Sequence, residues 1–152
     1  MEIMSDKKSL FQAIDAQRDT LCSMADQIFD NPEYEGEEVF ASGLLTDYLI
    51  ANGFDVQMGV GGFKTAFRAT YSHGEGGPVI GILCEYDALR NLGHGCGHHM
   101  QGPGCLGAAV ALKNLDTDKS FQLVVYGTPA EETFGSKVQM IQNGCFKELD
   151  VA

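Results

Sequence analysis

The sequence lacks any apolar run long enough to cross a bilayer, which excludes a membrane-spanning helix. It also lacks an apolar core behind its polar start, Met1-Glu2-Ile3-Met4-Ser5-Asp6-Lys7-Lys8, so no secretory signal peptide is read there and the expected compartment is the cytoplasm. Positive charge is scarce. Ten Lys and Arg stand against 21 Asp and Glu, for a formal net charge of −11. A surface this acidic repels phosphate backbones and anionic lipid, which speaks against nucleic acid and membrane as partners. It tolerates divalent cations, although most of these carboxylates are expected to be plain solvated surface. A disulfide framework is missing as well. The five cysteines, Cys22, Cys84, Cys96, Cys105 and Cys145, are odd in number and irregular in spacing, which reads as free thiols. No internal repeat and no linker is visible.

What is present fits one globular α/β domain. The 152 residues are 44% hydrophobic and include 19 glycines, enough for a sizeable core. Ser5 to Asp30 reads as one helix, capped by Ser5 or Asp6, striped by Leu10, Ile14, Leu21, Met24, Ala25 and Ile28, and ended by Asn31-Pro32. A second helix is expected from Glu37 to Ala51, stopped by Asn52-Gly53. The pattern then changes to period two at Phe54, Val56 and Met58, as in a half-buried strand. Thr65 to Tyr71 is a further strand. Pro78 to Cys84 is nearly continuous in apolar residues and is expected to be a central strand covered on both faces. A glycine- and histidine-rich loop spans about Asp87 to Gly104, followed by a buried helix over Cys105 to Lys113, a buried strand over Phe121 to Tyr126, and a helix from Gly135 to Gln142. Another strand begins at Asp150-Val151, so the sequence reads as a fragment. Helices alternating with apolar strands give an α/β layered sandwich, expected to hold a central mixed, largely parallel sheet with helices on both faces.

Three polar clusters fall where strands of such a sheet should end, which is where α/β folds bind ligands. They are Glu85-Tyr86-Asp87, then Gly93-His94-Gly95-Cys96-Gly97-His98-His99, then Thr128-Pro129-Ala130-Glu131-Glu132. Cys96 and His98, two apart in an extended segment, would point the same way. Thiolate and imidazole suit zinc or a similar borderline metal. The alternative is a glycine loop with solvated histidines, against which stand three of the four histidines within six positions. Glu131 and Glu132 should diverge in extended chain, so one could hold a metal while the other moves a proton. Acidic residues stabilised at a helix N-terminus are the competing explanation. Asp87 could accept a hydrogen bond from a metal-bound histidine and fix its tautomer, or could simply cap a turn. Glu85 is ambiguous in the same way, and His73 is expected to face solvent.

Two rival motifs carry less. Gly102 to Gly107 matches G-x-G-x-x-G, but it does not directly follow a strand and no ribose-binding acid is suitably spaced. Cys96 with a histidine base could be a nucleophile, yet nothing around it matches the local signatures of thiol proteases.

Glu85-Tyr86-Asp87-Ala88-Leu89, Gly93-His94-Gly95-Cys96-Gly97-His98 and Pro129-Ala130-Glu131-Glu132, in this order, resemble the M20 metallopeptidase family. The likeness is greatest to the amidohydrolase branch with aminobenzoyl-glutamate hydrolases and aminoacylase-1-like proteins, and it runs from Asn31-Pro32-Glu33 to Asp150. It implies the N-terminal part of a catalytic domain, without the lid and dimerisation domain and without the C-terminal part of the catalytic domain. It implies a two-metal site of zinc, manganese or cobalt, with Cys96, His98 and Glu132 as ligands, Glu131 as general base and Asp87 orienting a ligand histidine. The implied reaction is hydrolysis of an amide bond in an N-acyl amino acid, aminoacyl conjugate or small peptide, by a full-length parent that is a homodimer. The metals would polarise the carbonyl and lower the pKa of the attacking water. Arg90 departs from the usual proline, and His99-Met100 from an Asp or Asn followed by a variable residue. The later metal-binding histidines are expected beyond Ala152, so the chain alone should have little activity and bind metal weakly. The alternative is a non-catalytic metal-binding or interaction module.

Overall fold

The computed structural model describes the backbone of residues 2–152 and side chains from Lys7 onward. Its elements are α1 (Glu2–Asp15), α2 (Arg18–Asp30), α3 (Val39–Ala51), β1 (Asp55–Met58), β2 (Phe67–His73), β3 (Val79–Cys84), α4 (His98–Lys113), β4 (Phe121–Gly127), α5 (Glu131–Phe134) and α6 (Ser136–Gln142). The single N-terminal helix expected from the apolar stripe is two helices. The turn tightens at Gln17, whose N–H donates to Ile14 O at 3.0 Å, three residues back. The Gln17 side chain then secures the junction, donating to Ala13 O at 2.8 Å and accepting from the Tyr48 hydroxyl. Ser5 and Asp6 lie within α1, and their side chains are outside the described residues. The start of α3 is fixed by Glu33, whose two oxygens accept the Phe40 and Ala41 amides at 2.8 Å each and so satisfy donors that a helix N-terminus leaves open.

The sheet has four strands in the order β1-β2-β4-β3. β1 and β2 are antiparallel, β2 and β4 are antiparallel, and β3 and β4 are parallel. The expectation of a largely parallel sheet is therefore wrong. A short connection through Gly59 to Phe63, with Gly59 and Gly61 in the left-handed region (φ 75° and 62°), turns the chain straight back and forces the first pair antiparallel. Only the β3–α4–β4 crossover is long enough to return the chain parallel. β3 is also terminal in the order, not central. Its far side is met by Val151, which forms a parallel bridge with Ile80, while the Gly81 amide donates to Val151 O at 2.7 Å.

β4 is the buried strand, and its alternation feeds two core layers. Leu123 and Val125 pack on one face with Ile28, Leu45, Leu49, Leu106 and Val110, that is, against α2, α3 and α4. Val124 and Tyr126 pack on the other with Ala66 and Met140 of α6, flanked by Phe146 and Leu149. Side chains of a strand alternate between faces, so one strand supplies both layers and the sheet carries helices on both sides. The apolar recess lined by Pro78, Ile80, Leu112 and Phe121 sits at the N-terminal ends of β3 and β4. The polar clusters lie at the opposite, carboxyl ends. No described helix is long and apolar enough to cross a membrane.

Candidate metal centre

Two strand ends and one helix start build the site. Leaving β3 at Cys84, the chain presents Glu85, Tyr86 and Asp87. Leaving β4 at Gly127, it passes Thr128, which donates through N and Oγ1 to Cys84 O at 2.8 and 3.1 Å. This pair of hydrogen bonds holds the two exits side by side. The chain then turns at Ala130 (φ 54°) into α5, so Glu131 and Glu132 stand in the first turn of a helix and not in extended chain as the sequence suggested. The third contribution is α4, which begins at His98 itself, seven residues earlier than expected. Gly97, left-handed at φ 84°, makes that entry. Cys96 and His98 therefore lie on either side of a helix start, and the argument that they share one side of an extended segment does not hold. Gly102 to Gly107 is inside α4, packed through Gly102 against Leu45 and through Gly107 against Leu21, which removes it as a phosphate-binding loop.

His98 is the centre of the group. It is buried, and its Nδ1 lies 2.9 Å from Asp87 Oδ1. Asp87 is 2% exposed, and its second oxygen accepts the Glu132 amide at 3.0 Å. Burial works to raise the Asp87 carboxyl, but the hydrogen bonds from His98 and from the Glu132 amide outweigh it and hold it below the usual carboxylate range. An ionised Asp87 accepts only, so Nδ1 carries the proton. The other ring nitrogen, Nε2, then points at carboxylates: Glu85 Oε2 is 3.0 Å away and Glu132 Oε1 3.6 Å. The hydrogen bond to Asp87, with the charges of Asp87, Glu85 and Glu132 behind it, pushes the imidazole pKa up.

One ligand atom each from Glu85, His98 and Glu131 lies within 4.8 Å of the others. Glu85 was only an ambiguous candidate in the sequence. Its amide donates to Gln101 Oε1 at 2.5 Å, and Gln101 Nε2 returns a bond to its Oε2 at 3.1 Å. Gln101 is three residues beyond His98, on the same face of α4, a spacing that could have flagged it. Lys137, in the first turn of α6, forms an ion pair with Glu85 and lies 3.9 Å from Glu131 Oε1. The compact group includes neither Cys96 nor Glu132. Cys96 is exposed. A hydrogen bond with Glu132, helped by the nearby Asp87 and Glu131 charges, pushes its thiol pKa up, so Cys96 and Glu132 lie together at the edge of the same cluster. His94 and His99 turn elsewhere. Their rings are 5.3 Å apart and pack with Phe29, whose ring is 5.0 Å from that of His99. Burial holds the His94 imidazole pKa down. His73 bonds Thr117 O at 3.0 Å and stacks on Phe121, so it is not a free solvent-facing side chain.

The donor set fits a divalent ion. An imidazole whose Nδ1–H donates to Asp87 presents Nε2 to carboxylate oxygens, so a divalent cation can take the place of the Nε2 proton there. Nitrogen, oxygen and a nearby sulfur suit zinc and its borderline neighbours.

No family model matches the chain. Among curated proteins it is 36% identical over 159 residues to a p-aminobenzoyl-glutamate hydrolase polypeptide of Escherichia coli, covering 92% of this chain and 33% of that protein. It is 36% identical over 158 residues to mouse Xaa-Arg dipeptidase, covering 95% of this chain and 36% of that one. Thus the chain spans about a third of the length of the curated relatives it matches. Among solved structures, a dinuclear metal-binding peptidase of the M20 family from Bacillus subtilis has the same fold over 89% of this chain and 41% of its own (TM-score 0.71, 19% identity). With its strand-end carboxylates gathered around His98, the chain is a homologue of the M20 peptidase family.

Proposed function

We propose that these residues are part of a metal-dependent amidohydrolase, which cleaves an amide bond in N-acyl amino acids, aminoacyl conjugates or small peptides. The observation that carries this reading is the single imidazole whose Nδ1 is tied to Asp87 while its Nε2 faces Glu85 and Glu132. The curated relatives, a hydrolase of p-aminobenzoyl-glutamate and a dipeptidase, support the substrate class.

His98, Glu132 and Cys96 would hold the metal, with Glu85 close enough to join them. When bound, two divalent ions such as zinc, manganese or cobalt supply Lewis acidity and make nearby water more acidic. Asp87 keeps His98 in the tautomer that offers Nε2 and holds the ring in place. Through the Glu132 amide, the same carboxylate also fixes the start of α5. Glu131 takes a proton from water and delivers it to the leaving amine. Lys137 stands beside it, with Nζ 3.9 Å from Glu131 Oε1. The chain spans a third of its relatives, so further ligands and the grip on the substrate belong to the rest of such a protein, a cytoplasmic homodimer in this reading. The 152 residues alone bind metal weakly and turn over little substrate.

Metal analysis after refolding with zinc or manganese tests the reading. Wild type should retain more metal than Cys96→Ser or His98→Ala. Equal retention in all three would leave only the non-catalytic interaction module.

A further inference from the structure

Glu38 is the one acidic side chain with zero exposure among the described residues, and it carries no ion pair there. It is the N-cap residue of α3, but its side chain makes no capping bond to that helix. Its carboxylate turns inward instead. Oε1 accepts the amides of Gly36 and Ala130, each at 2.9 Å, and Oε2 accepts the Thr65 hydroxyl at 2.8 Å. A buried carboxylate without a cation is costly, and its neighbours show what it holds. Ala130 is the left-handed residue immediately before Glu131 and Glu132. The Thr65 carbonyl accepts the hydroxyl of Tyr86 at 2.8 Å, and Tyr86 stands between Glu85 and Asp87. Glu38 therefore touches both carboxylate-bearing segments, one through a backbone amide and the other through Thr65.

The geometry points to Glu38 as a positioning residue that fixes the distance between the Glu85–Asp87 segment and the Glu131–Glu132 turn, and so sets the spacing of the metal ligands. The metal part of this statement rests on the function proposed above. The positioning part rests on hydrogen bonds alone. Its direct consequence is that the Glu132 amide, bonded to Asp87 across the gap, depends on a carboxylate that does not touch it.

Hydrogen exchange read residue by residue tests this on the 152-residue chain, comparing wild type with Glu38→Leu, Glu38→Gln and Thr65→Val. Leucine removes the acceptors and should speed exchange at the Ala130 and Glu132 amides by about tenfold beyond any change at Val125, in the middle of β4. Glutamine keeps an acceptor oxygen for the two amides and should restore protection to within about threefold of wild type. Thr65→Val, which keeps the core filled if the leucine variant fails to fold, should give about a threefold rise at Glu132. A Glu132 amide that follows Val125 in every folded variant would overturn the inference. Titration with Co2+ adds a second arm. Glu38→Leu should weaken cobalt binding while Glu38→Gln retains it, and equal affinity in both would also overturn the positioning role. Wild type that binds no cobalt would count against the proposed function, and the exchange data would still decide the role of Glu38.

Discussion

Asp87 and His98 meet at 2.9 Å through Oδ1 and Nδ1, and this contact joins the exit of β3 to the first residue of α4. It selects which imidazole nitrogen is left to face the acidic cluster. Asp87→Asn should leave the shape intact while removing the ionised acceptor. Metal affinity should fall roughly 10- to 100-fold, measured by competition against a chromogenic chelator. An unchanged affinity would show that His98 needs no orienting partner.

Lys137 competes for the same oxygens. Its ammonium pairs with Glu85 and approaches Glu131, so a bound cation must displace it or share with it. Lys137→Met should therefore strengthen zinc binding by no more than about fivefold, the scale of a partly exposed ion pair. A weaker site in the methionine variant would mean that Lys137 helps to assemble the cluster.

How much of this was legible depended on distance along the chain. The apolar run at Leu123 to Tyr126 and the alternation at Val56 identify strands from neighbouring residues alone, as does the Asn52-Gly53 stop after α3. Strand direction was not legible, because it depends on β4 inserting between β2 and β3, which no local pattern encodes. The start of α4 was hidden because Gly93 to His99 has loop composition. Asp87, His98 and the Glu131-Glu132 pair stood out by residue type at strand ends. Lys137 and Glu38 did not, since their partners Glu85 and Ala130 are 52 and 92 residues away in sequence.

Acid should expose the contribution of Glu148. Both its oxygens bind Arg68, at 2.7 and 2.5 Å, and the Tyr126 hydroxyl donates to it at 2.6 Å. The Arg68 hydrogen bonds hold the Glu148 pKa below its ordinary value of 4.5. A folded-state pKa lower than the unfolded one gives stability that is complete above the unfolded value and lost as pH falls through the folded one. The pair is partly exposed, so about 1 kcal/mol or less is expected. Urea unfolding should find Glu148→Gln less stable than wild type near about pH 7 and the gap closing as pH falls below 4.5 through the lower folded value. A gap that persists in acid would mean the loss is packing.

Gly77 offers a sharper test of the fold. It has φ 82°, and an added Cβ would lie 2.0 Å from the backbone oxygen of Ser120, which cannot swing aside. Gly77→Ala should cost about 3 kcal/mol and lower the unfolding midpoint by roughly 6 to 12 °C. Gly36, also at positive φ but with nothing within 4 Å, should lose about 1 kcal/mol on the same change. Equal losses by differential scanning calorimetry would show that the Ser120 contact is relieved.

The left-handed backbone at Ala130 has an implication for anyone hoping to toughen this protein. A side chain at φ 54° carries a steric penalty of about 1 kcal/mol that glycine would not, but Ala130→Gly relieves it only by giving up a fully buried methyl, worth about 0.8 kcal/mol. The same methyl group restricts the conformations open to the residue that aims the acidic pair. The two contributions nearly cancel, so the exchange should leave heat tolerance about where it was and still loosen the aim of the acidic pair.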